Sequence, residues 1–216
     1  MSFSAWLSFV IMVVTVSLSG VLMPGPVTAV CVARGAKSPH AGALVSLGHG
    51  VIEFPLMAVI FLGARALFQL VPVRIGIGLA GGLVLLGMGI GMLKDYKKVA
   101  APEEDLDSKA RSPLLAGLFL SAANPYFLVW WATAGAALID KSIAFGLLGF
   151  LVLAVSHWLC DFAWFYFLSA LSFRGGRFFG RKLQQGVFII CGIILLYFSG
   201  SFIVKALALL LSPNRL

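Results

Sequence analysis

Six apolar runs divide the chain: Phe3–Val32, Ala41–Ala64, Val73–Leu93, Pro113–Ile139, Ile143–Leu171 and Gly186–Leu211. A helix crosses a bilayer with about 20 apolar residues, so the pattern predicts six spanning helices. Two runs are interrupted. Pro24-Gly25-Pro26 removes two amide donors around a glycine inside the first run, and Asn124-Pro125 breaks the fourth near its middle. Backbone groups freed inside a membrane persist only where protein or a water-filled cavity satisfies them. Paired breaks in corresponding helices therefore point to a binding site; a proline kink repaired by neighbouring helices is the plainer alternative.

Charge inside the runs is confined to a few positions. Glu53 and Asp161 are the only acids within the six spans; Asp140 lies at a helix end, and the other acids fall in the connection after the third run. At the centre of a spanning helix an acid costs roughly 2.5–3.5 kcal/mol on insertion scales, which makes each a candidate functional residue. His49 precedes Glu53 by four residues and His157 precedes Asp161 by four, so each imidazole shares a helix face with its acid. A low dielectric penalises the charged form of a carboxylate and makes it a candidate for proton exchange, with the imidazole as relay or anion partner. The bland alternative is a structural hydrogen bond to a facing helix. His40, after Pro39 in the first connection, reads as solvated.

The two His-x-x-x-acid-Phe stretches lie 108 positions apart, in the second and fifth helices. The third and sixth share a glycine followed by four aliphatics, Gly82-Leu83-Val84-Leu85-Leu86 and Gly192-Ile193-Ile194-Leu195-Leu196. The first and fourth carry the breaks. Three helices per copy is an odd number, so the second copy enters the membrane from the opposite side, as in many secondary transporters. The expected fold is an all-α integral membrane protein of two inverted three-helix repeats, 1–94 and 113–216, joined by a charged, solvated linker at 95–112. Small-xxx-small spacing at Gly78/Gly82 and Gly87/Gly91 predicts close packing of the third helix on a partner, in the same chain or in a second copy of a homo-oligomer.

Composition agrees. Of 216 residues, 61% are hydrophobic and 11% charged, against roughly 25% charged in soluble domains. The formal charge of +8 sits in short tracts between apolar runs, where it acts as a topology signal, and no polybasic patch with interleaved aromatics suits nucleic acid. The connections 1–2, 3–4 and 5–6 hold most of the Lys and Arg, while Arg65, Arg74, Lys141, Lys205 and Arg215 fall on the other side. The positive-inside rule places those three connections in the cytoplasm and both termini outside a plasma membrane. No Lys or Arg precedes Arg34 and no small-x-small cleavage site follows the first run, so that run is expected to be a spanning helix rather than a signal peptide. Cys31, Cys160 and Cys191 lack CxxC spacing and read as small core residues. Trp6, Tyr96, Trp130 and Trp131 suit either the membrane interface or the bundle interior.

The late Pro-Gly-Pro of the first helix, the loop Arg34-Gly35-Ala36-Lys37-Ser38-Pro39-His40-Ala41-Gly42, the acid after Gly48-x-Gly50 and the Asn-Pro of the fourth helix together resemble the LysE/RhtB family of amino-acid exporters. The likeness extends over the whole chain. It implies export of amino acids or close relatives from the cytoplasm, driven by the membrane potential or by proton exchange. Members more often carry Asp at the place of Glu53, and the two His-x-x-x-acid pairs are not a mark of the whole family.

The reading that follows is a secondary active exporter, not an enzyme, with a midplane site between the repeats. A substrate carboxylate would meet a half-helix N-terminus at Pro24, Gly25 and Pro26 or at Asn124 and Pro125. Its ammonium would meet Glu53 or Asp161, with His49 and His157 assisting proton coupling; H+ or Na+ is the coupling ion, and no cofactor is expected. Two alternatives stay open. Two imidazoles and two carboxylates suit a divalent metal-ion exporter. An intramembrane thiol-redox protein would need a cysteine pair, for which only Cys31 and Cys191 are candidates. Hydrolytic motifs of the His-Glu-x-x-His or Gly-x-Ser-x-Gly kind do not occur.

Overall fold

The computed structural model describes residues 2–64, 70–97, 112–175 and 180–211. Most of the 95–112 linker, together with Arg65, Lys98, Lys109, Arg111, Arg177 and Arg215, lies outside the described residues. Regular structure among the described residues is entirely helical. Among the described residues five helices are long and apolar enough to span a bilayer, and a bent pair, Pro113–Ala122 with Tyr126–Ile143, makes a sixth when counted as one span.

The first apolar run forms two helices, α1 (Phe3–Val21) and α2 (Pro26–Gly35). Helix α1 ends because neither Pro24 nor Pro26 can donate a helical hydrogen bond, and Pro26 instead heads α2, where its missing N–H is no loss. Helix α3 (Ala41–Val59) carries Pro55 and opens at its end into a π-helical turn, Ile60–Ala64, where Gly63 takes φ 108°. Helix α4 covers Val71–Asp95. The fourth run is the most divided: α5 (Pro113–Ala122), α6 (Pro125–Trp130), a second π-helical turn Trp131–Gly135, and α7 (Ala136–Ile143). Asn124 caps α6, its side-chain oxygen accepting from the Tyr126 amide at 3.1 Å. Helices α8 (Gly146–Gly175) and α9 (Gly180–Leu211) complete the chain.

Many large apolar side chains are exposed, and the apolar core encloses a set of polar groups. Leu83, Leu151, Ile193 and Val204 are exposed, whereas His49, Glu53, His157, Asp161 and Ser17, Ser46, Ser121, Ser142, Ser169, Ser172 and Ser199 are buried. This distribution suits a lipid surround, where polar groups must be satisfied by protein. The serines bind helices together: Ser172 donates to the Val32 carbonyl (2.7 Å) and Ser199 to the Gly82 carbonyl (2.8 Å), while Ser169 accepts from the Gly42 amide (3.0 Å).

Glycine sets the closest crossings. A Cβ on Gly48 would meet the Leu114 carbonyl and one on Gly117 the Val45 carbonyl, so α3 and α5 touch backbone to backbone. On α4, Gly78, Gly82 and Gly89 face α9, but a Cβ on Gly87 or Gly91 would meet nothing. The Gly87/Gly91 half of the expected motif therefore takes no part in this packing: nine residues beyond Gly78 is half a revolution at 3.6 per turn, whereas Gly89, eleven beyond, returns to the same face.

Candidate functional site

Helices α3 and α8 pack together and bring their two polar pairs face to face. Glu53 is 0% exposed and Asp161 3%. Glu53 Oε1 is the hub: His49 Nε2 and His157 Nε2 each lie 3.1 Å from it, and the Trp131 indole N–H donates to it at 3.2 Å. His49 Nε2 stands 3.9 Å from Asp161 Oδ1, and His157 Nε2 3.4 Å from Asp161 Oδ2. Glu53 Oε2 and Asp161 Oδ2 have no hydrogen-bond partner. Both carboxylates are already paired with the imidazoles, but Glu53 Oε2 accepts no hydrogen bond and Asp161 Oδ2 has only the 3.4 Å approach of His157, so each acid keeps room for a further donor or cation.

The imidazoles are fixed from behind by the opposite half of the chain. His49, from the first half, places Nδ1 2.6 Å from Ser121 Oγ on α5; His157, from the second, places Nδ1 2.7 Å from Ser17 Oγ on α1. Ser121 has a single hydroxyl hydrogen, and it donates to the Gly117 carbonyl at 2.6 Å. Its oxygen must then accept from His49 Nδ1–H, an assignment made from the network. With Nδ1 protonated, the 3.1 Å contact of Nε2 with Glu53 Oε1 is attractive only when a proton or larger cation serves the pair. Aromatic rings enclose both imidazoles: Phe127 and Phe165 stand edge-on to His49, and Trp130 and Trp131 flank His157.

One cavity joins the cluster to both breaks. His49, Glu53, His157 and Asp161 line it together with Pro24, Gly25, Pro26 and Asn124. Gly25 caps α2 without a side chain, leaving the amides of the first turn without intrahelical acceptors. Pro125 is the first residue of α6. The cavity measures about 80 Å³, room for two or three waters at roughly 30 Å³ each. The four residues of the cluster and Pro24, Gly25, Pro26 and Asn124 thus surround one space. None of the three cysteines lines this cavity, and all are free thiols: Cys31 and Cys191 are buried and Cys160 is half-buried.

Three contributors escaped the sequence reading. Ser17 and Ser121 are ordinary hydroxyls in apolar runs, and their only signal was a place on the two broken helices. Trp131 was legible as an aromatic but not as a donor, because the π-helical turn that begins at Trp131 rotates its neighbours away from ideal helical phase.

The family model for LysE type translocators matches residues 18–206. The chain is 30% identical over 175 residues to an uncharacterised membrane protein of Pseudomonas aeruginosa, covering 75% of this chain and 78% of that one. No solved structure matches.

Proposed function

This chain belongs to the LysE type translocator family and is a multi-pass membrane transporter, and we propose that it exports amino acids or related small amines from the cytoplasm. The observation that carries the reading is the pair of buried acids, Glu53 and Asp161, each with an oxygen that accepts no hydrogen bond, in a cavity that an uncapped helix N-terminus also lines. A zwitterionic amine answers both features. Its ammonium takes the acids, and its carboxylate takes the free amides after Gly25, where the helix dipole favours an anion. Helix α6 is the weaker anion site, because Asn124 already occupies the Tyr126 amide.

Alternating access follows from two inverted repeats, 1–94 and 113–216, rocking about the cluster. The crossed contacts support this: each histidine is held by a serine of the other half, and Glu53 by Trp131 of the second. A relative movement of the halves then breaks the polar shell and exposes the acids to one side at a time. Export draws on the membrane potential or on proton exchange, with the odd connections cytoplasmic and both termini outside. Uptake into inside-out vesicles from a panel of labelled amino acids and amines, with and without a proton gradient, tests the proposal. Selective accumulation of an amine-bearing solute is expected; uptake no greater than in vesicles lacking the protein would refute it.

A further inference from the structure

We infer that His49, Glu53 and Asp161, closed by His157, form a binding site for a borderline divalent transition metal of the zinc class, which takes the substrate amine's position and blocks transport. The regulatory half of this inference rests on the cargo reading above; the site itself does not.

Geometry comes first. One ligand atom each from His49, Glu53 and Asp161 lie within 4.8 Å of one another. Zinc–nitrogen and zinc–oxygen bonds of about 2.0–2.2 Å set tetrahedral ligand separations of roughly 3.3–3.6 Å. The imidazole-to-carboxylate separations here are 3.1, 3.1, 3.4 and 3.9 Å, so small side-chain shifts convert the cluster into a coordination shell. Trp131 and both imidazoles meet Glu53 at Oε1, so Oε2 accepts no hydrogen bond, and Asp161 Oδ2 has only the 3.4 Å approach of His157.

The outer shell is the second observation. A metal-binding imidazole offers one nitrogen and donates the other N–H to an orienting partner. Ser121 performs that task for His49: its own hydrogen is committed to Gly117, so it holds the proton on Nδ1 and turns Nε2 toward the carboxylates. Ser17 stands equivalently behind His157. Charge agrees as well, since two ionised carboxylates cancel a divalent ion while both imidazoles stay neutral, in a cavity walled by Phe127, Trp130 and Phe165.

Donor type narrows the metal. Two nitrogens with two oxygens favour zinc and its neighbours over calcium or magnesium, which prefer all-oxygen shells. No cysteine lines this cavity, so the site is not a soft, thiolate one.

Calorimetric titration of the purified full-length chain in detergent with zinc chloride and with calcium chloride tests the site. The expected result is one zinc bound per chain, no calcium of comparable affinity, and unchanged zinc binding in His40→Ala, which removes the one histidine outside the cluster. Glu53→Gln and Asp161→Asn should abolish binding. Ser121→Ala, which leaves every ligand atom in place, should weaken it roughly 10–100-fold. Failure of the wild type to bind zinc, or equal binding by Glu53→Gln, would overturn the site. In proteoliposomes zinc should inhibit amine transport by the wild type; zinc binding without inhibition overturns the regulatory role. Zinc binding by a protein that moves no amine refutes the cargo and leaves the site standing, and amine transport by a protein that binds no zinc does the reverse.

Discussion

Replacing Ser121 with alanine tests the hydrogen-bond logic of the cluster at its most constrained point. In the wild type the hydroxyl donates to the Gly117 carbonyl and accepts from His49 Nδ1–H, both at 2.6 Å. Alanine leaves that N–H buried without an acceptor, a penalty of about 1–3 kcal/mol. Each 1.4 kcal/mol is a factor of ten in an equilibrium, so the preference for a proton on Nδ1 should fall by roughly 5–150-fold. The imidazole has an escape: it can release the Nδ1 proton and keep the Nε2–H that donates to Glu53 Oε1, 3.1 Å away. The loss of global stability should therefore be smaller than the full penalty, about 1 kcal/mol. Nitrogen-15 spectra of histidine-labelled protein, with His40→Gln to simplify assignment, report which ring nitrogen carries the proton. Nδ1 of His49 should be protonated in the wild type and bare in Ser121→Ala, while Ser17→Ala should alter the His157 signals and leave those of His49. A bare Nδ1 in the wild type, or a His49 spectrum indifferent to Ser121→Ala, would refute the reasoning.

The fold makes its own predictions. Gly117→Ala places a methyl against the Val45 carbonyl and should lower stability by about 1–3 kcal/mol, as overpacking does, seen as a reduced melting temperature in detergent; an unchanged one would mean that α3 and α5 do not touch here. Asn124→Ala removes the cap on the Tyr126 amide and should cost about 1 kcal/mol, with melting again as the measure; Asn124→Asp should restore most of it.

The polar residues of the candidate site were largely legible in the sequence, and their supporting contacts were not. Glu53 and Asp161 declare themselves because a carboxylate in an apolar run needs a reason, and helical spacing alone attaches His49 and His157. Proline at 26 and 125 marks the restarts of α2 and α6, since its ring and missing N–H act locally. Ser17, Ser121 and Trp131 depend on which helices face one another, which no local pattern encodes. The same limit applies to α4, where only the phase against α9 separates the packed Gly89 from the unpacked Gly87 and Gly91. The third helix was expected from Val73 and begins at Val71, because Pro72 suits a first turn.

The account stands on the two acids as the substrate's counter-charge. Counterflow of a labelled amino acid in proteoliposomes, using the solute selected by the vesicle panel, tests this most directly when wild type is compared with the doubly substituted Glu53→Gln/Asp161→Asn protein. The substitutions keep side-chain volume and remove both charges, so the protein should remain monodisperse while exchange falls to the level of empty liposomes. Exchange at the wild-type rate by the doubly substituted protein would contradict the account.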